Sequence, residues 1–241
     1  MLLGAGLSSA ALAAAVDRRT AGVPLEHLLG WADFCGLRIV VAAGVFVPRS
    51  RTELLVRSAA AAVRRAAARR DSAPVAVDLC CGSGAVGAAV AATVESVDLY
   101  AVDIDATAVA CARQNLVDAG AQVLQGDLYD PLPPRLRGTV DVLVANAPYV
   151  PTEEIRLMPP EARLHEARTA LDGGVDGLHV QSRVAAGAAH WLAPGGRVLV
   201  ETSARQAPQT AELCADAGLV PRVVHSQRLA ATVVIGRLPR R

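Results

Sequence analysis

The chain has 241 residues, 52% of them hydrophobic, enough for a substantial core in one large domain or in a domain with a small appendage. Its formal net charge is +1, which excludes a global field that would draw it to nucleic acid or to an anionic membrane. All 24 basic residues are arginine, so a Schiff-base lysine and a P-loop lysine are excluded too.

Met1 to Ala15 is apolar, but it lacks a basic leader and runs into Val16-Asp17-Arg18-Arg19 without a turn. Residues 1–20 therefore read as a helix rather than a signal peptide. No other uncharged apolar run reaches the length of about 18 residues that spans a bilayer, so no membrane partner and a cytoplasmic location are expected. Cys35, Cys80, Cys81, Cys111 and Cys214 are scattered and odd in number, and read as reduced thiols rather than as metal ligands or a disulfide framework. The segment 23–47 is mixed, with a strand pair expected near Leu37–Val41 and Val45–Val47. Pro48-Arg49-Ser50-Arg51 opens a helix, capped by Ser50 or Thr52, that runs to about Arg70. Residues 1–47 are thus expected to form a short helical and hairpin segment, and residues 48–241 the main domain.

From Pro74 onward strands and helices alternate, which argues for a parallel sheet with crossover helices. Strands are expected at 75–79, 97–102, 121–125, 140–145 and 196–202, and helices at 84–94, 106–118, 176–192 and 205–217. Asp105 is placed to cap the second of these helices. Leu219–His225 and Ala231–Arg237 read as an antiparallel hairpin at one edge of the sheet.

Chemistry concentrates in two places. Asp78-Leu79-Cys80-Cys81-Gly82-Ser83-Gly84 carries an apolar strand into two close glycines and an alanine-rich helix. Glycines there let the backbone turn sharply and approach a ligand, and the helix start offers unpaired N–H groups. About 20 residues on, Asp103 ends a second strand, where a carboxylate can accept both hydroxyls of a ribose. NAD and S-adenosylmethionine both fit this pair of features. The second place is Asn146-Ala147-Pro148-Tyr149, at the carboxyl end of the apolar run 140–145. Asn-x-Pro is a common turn. An amide, a carbonyl aimed by the following proline and an aromatic ring can equally hold a flat NH2 group.

Arg49 and Glu53 are candidates to line a pocket or to pair at a helix start. Arg64-Arg65 and Arg69-Arg70 form a basic cluster late in a helix, which reads either as a phosphate-binding patch or as a solvated face complementing the helix dipole. The proline-bearing stretch 150–165, with Glu161, Glu166 and Arg168 in or just beyond it, reads as a lid.

In chain order, Pro48 to Glu53, Asp78 to Gly84, Asp103-Ile104-Asp105, Gly126-Asp127-Leu128-Tyr129, Asn146 to Tyr149 and Ala170 to Leu178 resemble the HemK/PrmC family of protein N5-glutamine methyltransferases. The resemblance spans about residues 15–237. It implies an α/β class I methyltransferase fold, with a Rossmann-like seven-stranded sheet whose last strand is antiparallel. It also implies S-adenosylmethionine as cofactor and no metal. By this resemblance Asp78, Cys80, Cys81, Gly82, Ser83 and Gly84 form the loop for the methionine part, Asp103 and Ile104 hold the ribose, and Asp127 and Leu128 the adenine. Asn146, with Ala147, Pro148 and Tyr149, would hold the substrate amide. The implied substrate is the glutamine of the Gly-Gly-Gln motif of peptide-chain release factor. The family usually has proline at the position of Ala147 and often glycine at that of Cys80, and its helical amino-terminal domain is longer than the 47 residues before Pro48. Three other readings remain open: an amino-methyltransferase acting on nucleic acid, a non-catalytic cofactor-binding protein, and an NAD-dependent oxidoreductase. Near-neutral charge and 3% aromatics weigh against the first.

Overall fold

The computed structural model describes residues 8–240. The first seven residues of the expected amino-terminal helix lie outside the described residues. The helix itself, α1, runs Ser9–Thr20 and opens on Ser8, whose hydroxyl accepts the Ala11 N–H. A short helix, α2 (Leu25–Leu29), follows, and then a two-stranded hairpin, β1 (Trp31–Phe34) and β2 (Leu37–Val40). The expected pairing of Leu37–Val41 with Val45–Val47 is therefore corrected. Cys35 and Gly36 both take positive φ, the two-residue turn that suits strand twist, so β2 folds back on β1. Val45 and Val47 are instead buried outside any strand, with the Val47 N–H donating to the Glu166 side chain.

Helix α3 (Glu53–Ala67) buries Leu55, Val56, Ala59, Ala60, Ala62 and Val63 along one face and exposes Arg57, Arg64 and Arg65. Neither Ser50 nor Thr52 caps it through its side chain; a single 3-10 turn, Ser50–Thr52, leads the chain in. Then come β3 (Val75–Leu79), α4 (Ala85–Ala91), β4 (Asp98–Asp103), α5 (Ala106–Asn115), β5 (Gln122–Gln125) and β6 (Val140–Ala145). Asp105 caps α5 as expected, accepting the N–H groups of Thr107 and Ala108. The stretch after β6 carries a 3-10 turn (Thr152–Leu157) and a short helix, α6 (Pro160–His165). Helix α7 (His179–Trp191), β7 (Leu192–Thr202), α8 (Ala207–Asp216), β8 (Val220–Ser226) and β9 (Ala231–Arg237) complete the chain.

Seven strands form one sheet in the order β5-β4-β3-β6-β7-β9-β8, with β9 antiparallel to both neighbours. Alternate side chains feed two cores. Ala76, Leu99, Ala101, Val142 and Val144 face α3, α4 and α5, together with Phe34, Ile39, Val41, Val45 and Val47 from the amino-terminal segment. Val77, Leu79, Tyr100, Val102 and Leu143 face α7 and α8. Strands buried on both faces read as continuous apolar runs, which is why β3 and β6 are legible in the sequence. On the α7 side the Tyr129 and Trp191 rings stack at 5.9 Å and 8°. On the hairpin, the Arg38 guanidinium lies 4.1 Å from the centre of the half-exposed Trp31 ring. No helix among the described residues is long and apolar enough to cross a membrane.

Candidate active site

The carboxyl ends of β3, β4 and β6 open into one cavity of about 540 Å³. The sheet order reverses between β3 and β6, and the crevice outside such a switch point is where open α/β sheets take ligands. The cavity brings together Asp78, Cys80, Cys81, Gly82, Ser83, Asp103, Ile104, Asp127, Leu128, Asn146, Ala147, Pro148 and Tyr149. Gly84, also expected there, is buried outside the lining. Its φ is +77°, and an added Cβ would stand 3.0–3.1 Å from Leu116 and Ala112, so it serves the approach of α4 to α5.

The loop from β3 to α4 is held by carboxylates. Asp103 accepts the Gly82 N–H at 2.8 Å through one oxygen and the Asp105 N–H at 2.9 Å through the other. Burial pushes its carboxyl up, opposed by these N–H donors. Asp78, 1% exposed, accepts the Gly87 N–H at 2.9 Å in the first turn of α4. Burial pushes its carboxyl up to about 7, against the pull of that hydrogen bond. Cys80 takes φ of 53°, a conformation glycine adopts without strain, and this is the physical sense of glycine at that position. Burial and the neighbouring Asp103 and Asp78 raise the Cys80 thiol, and burial above all raises Cys81, so both stay protonated and non-nucleophilic.

Asp127 is paired with Arg183 of α7 at 2.8 Å. Sequence reasoning missed Arg183; its spacing on an amphipathic helix gives no sign that it lines the cavity. Phe34 and Phe46 were missed as well, because only the hairpin and the segment after it carry them to the cavity wall.

Asn146 leaves β6 half-buried, and its side-chain amide makes no hydrogen bond among the described residues. The segment that follows is clamped on several sides. Val150 donates to the Leu171 carbonyl at 3.1 Å and accepts from Gly173 at 2.9 Å. Gln206, buried at the start of α8, donates from Nε2 to the carbonyls of Tyr149 and Asp176, both at 3.0 Å. A Cβ on Gly173 would stand 2.8 Å from the Pro148 carbonyl oxygen, and one on Gly177 would collide with the Tyr149 carbonyl. The glycines of the 170–178 segment thus exist to let it close against Pro148-Tyr149. The Tyr149 hydroxyl lies 3.5 Å from the buried Glu201, and the Arg51 guanidinium sits 5.9 Å from the Tyr149 ring centre. Burial pushes the Tyr149 hydroxyl up to about 12.

Arg49 lines the cavity and pairs with Glu166, which also accepts the Val47 N–H; Glu53 does not line it and pairs with Arg57 one turn on. Arg168 pairs with Asp172 at the rim.

A mixed seven-stranded sheet with a reversed hairpin and a glycine loop at its switch point defines a class I methyltransferase fold. The 16S rRNA N2 G1207 methyltransferase of T. thermophilus is similar in fold, with a TM-score of 0.56 at 17% identity over 86% of this chain and 49% of that one. The family described as methyltransferase small domain matches residues 37–183. The chain is 40% identical over 194 residues to the release factor glutamine methyltransferase of Streptomyces coelicolor, covering 80% of this chain and 68% of that one. It is 38% identical over 191 residues to the 4-amino-L-phenylalanine/4-methylamino-L-phenylalanine methyltransferase of Streptomyces pristinaespiralis, covering 79% of this chain and 65% of that one. The chain belongs to the HemK/PrmC family of methyltransferases. It spans about two thirds of the length of the curated relatives it matches.

Proposed function

We propose that this protein is an S-adenosylmethionine-dependent N-methyltransferase that acts on the side-chain amide of a protein glutamine, the Gly-Gly-Gln glutamine of peptide-chain release factor. The observation that carries this reading is the convergence of the Asn146-Ala147 unit and the Asp103-held glycine loop on one cavity.

The residues present fit the cofactor. The 80–84 loop runs through positive φ at Cys80, Gly82 and Gly84, which brings backbone rather than side chains to the cavity. Asp103 keeps acceptor capacity beyond the two N–H groups it takes, since a carboxylate offers about four lone-pair sites. Asp127, Leu128 and Arg183 would bound the adenine end, and the buried Asp78 the methionine end. When bound, the cofactor supplies an electrophilic methyl group on a sulfonium.

An amide nitrogen is a poor nucleophile because its lone pair is delocalised. The Asn146 side-chain oxygen would accept one N–H of the substrate, and the Ala147 carbonyl the other. Pro148 disfavours helix at residue 147, which keeps that carbonyl aimed; alanine supplies the same atom as proline with less rigidity. Tyr149 would pack its ring on the flat amide. Catalysis would then rest on positioning, which can be worth about 7–11 kcal/mol for a near-attack geometry. Charge is dispersed as a methyl leaves a sulfonium, so apolar walls such as Phe34, Phe46 and Met158 favour the step more than a nearby charge would.

The Streptomyces pristinaespiralis relative is named for an aromatic amine, which also presents a flat NH2. Two acceptor oxygens can read either group. Intact-mass measurement and fragment mapping of release factor, after incubation with this protein and S-adenosylmethionine, tests the proposal. A 14-dalton gain (one methyl for one hydrogen) on the Gly-Gly-Gln glutamine supports it. Methylation of 4-amino-L-phenylalanine with release factor untouched would replace it with the small-molecule reading.

A further inference from the structure

At the opposite end of the sheet, where the parallel strands begin, lies a second cavity of about 550 Å³. Along β6 it is separated from Asn146 by roughly 20 Å at strand rise. Arg69 and Arg70 reach it from the chain just after α3, Arg197 from β7 and Arg240 from beyond β9. Gly138, Gly195 and Gly196 form part of its wall. Four guanidinium groups thus face one carboxylate, Asp141, in a chain whose net charge is only +1. Asp141 is already committed, since it pairs with Arg70 and accepts the Val75 N–H at 2.9 Å. Arg69, Arg197 and Arg240 have no carboxylate within ion-pair distance among the described residues.

The helix dipole explains part of this concentration. Cations at the end of α3 complement its carbonyls, although Arg64 donates instead to the Thr93 carbonyl just beyond α4, at 3.0 Å. It does not explain why β7 and the carboxyl-terminal tail each send an arginine to the same place. Gly195 takes φ of +82°, and an added Cβ there would stand 2.9 Å from the Arg240 Nε, so the wall is kept bare where that guanidinium lies. Arg197 is half-buried among Arg65, Arg69, Arg237 and Arg240, and burial with these like charges pushes its pKa down. Like charges gathered in a partly buried cleft call for a multivalent counter-ion.

We propose that this cleft binds a small phosphate compound of the pyrophosphate type. Planar guanidinium forks match phosphate oxygens in pairs, and three forks with no carboxylate partner among the described residues suit a ligand with more than one phosphate.

Calorimetric titration of the full chain with pyrophosphate, at ionic strength held constant with sodium chloride, tests this. Saturable one-to-one binding is expected. Arg69→Gln and Arg240→Gln, both at exposed positions, should each weaken it at least tenfold, while Arg64→Gln leaves it unchanged. Orthophosphate should bind more weakly through the same residues. S-adenosylhomocysteine affinity should not change in any of these variants. Equal binding by wild type and the Arg69→Gln/Arg240→Gln double variant would overturn the proposal, as would no heat beyond that of chloride. Binding of a short RNA oligomer with pyrophosphate silent would overturn it in favour of a nucleic-acid backbone surface.

Discussion

Asn146 and Asp103 share a cavity, and the proposed function gives them different duties that substitution should separate. Under the proposed function Asn146→Ala removes an acceptor for the substrate amide and leaves the glycine loop untouched. Turnover should fall by about 10²-fold or more, with S-adenosylhomocysteine affinity nearly unchanged. Asp103→Ala removes the anchor of the loop and should weaken that affinity first, by roughly tenfold or more in a calorimetric titration. Equal loss of both properties in Asn146→Ala would count against its assigned role. Asp78 has a pH signature. Its carboxyl rests near 4 in an unfolded chain and at about 7 in the fold. The folded state therefore holds a proton that the unfolded chain releases. The stability this group contributes is full below about pH 4, drains away as pH rises to about 7, and changes no further above that. Asp78→Asn keeps an acceptor for the Gly87 N–H and cannot ionise. Urea midpoints of wild type and variant should diverge between pH 4 and 7 and run parallel beyond; midpoints that stay parallel throughout would remove the buried carboxyl as the cause. Each of these residues was legible because a motif of fixed spacing places it at a strand end. Phe34, Phe46 and Arg183 were not, since their place on the cavity wall depends on how distant elements pack.

Among the elements, the 170–178 segment shows what a family-specific motif is for. Its glycines are filled space: Gly173 and Gly177 press on the backbone of Pro148 and Tyr149, and Gln206 ties the two segments together. Gly177→Ala adds a Cβ at φ of +77° against the Tyr149 carbonyl. A stability loss of about 1–3 kcal/mol is expected in chemical denaturation. Turnover should drop more than cofactor affinity, because the displaced element carries Asn146-Ala147. Unchanged kinetics would mean that the clamp is dispensable. Periodicity could announce that the segment matters, but not what it touches. The early hairpin illustrates the same boundary from the other side. Cys35-Gly36 is a weaker turn signal than Asn-Gly, so the sequence points to a downstream partner for β2, where Val47 instead donates its N–H to the Glu166 side chain. A contact 119 positions away in sequence leaves no local trace.

Across the whole molecule, both faces of the sheet are buried and the parallel strands open on one cavity, so a ligand there stabilises the entire fold by mass action. S-adenosylhomocysteine at 100 times its dissociation constant should add about 2.7 kcal/mol. For a chain of this size that is roughly 5–10 °C in Tm. NAD at the same concentration should add none, and a matching shift with NAD would reopen the oxidoreductase reading. The central strands β3 and β6 were readable because strands covered on both sides must be apolar along nearly their whole length, whereas the edge strands β5 and β8 are more exposed. The chain carries only two tryptophans, and the fold puts them in opposite surroundings. Trp191 is 6% exposed and stacked on Tyr129, next to the Asp127-Leu128 wall of the cavity. Trp31 is half in solvent beneath Arg38. Excited together, they should emit as a blue, quencher-resistant component and a red, acrylamide-sensitive one. The protein thereby carries its own spectroscopic label for the Asp127-Leu128 side of the cavity, with an internal reference on the hairpin.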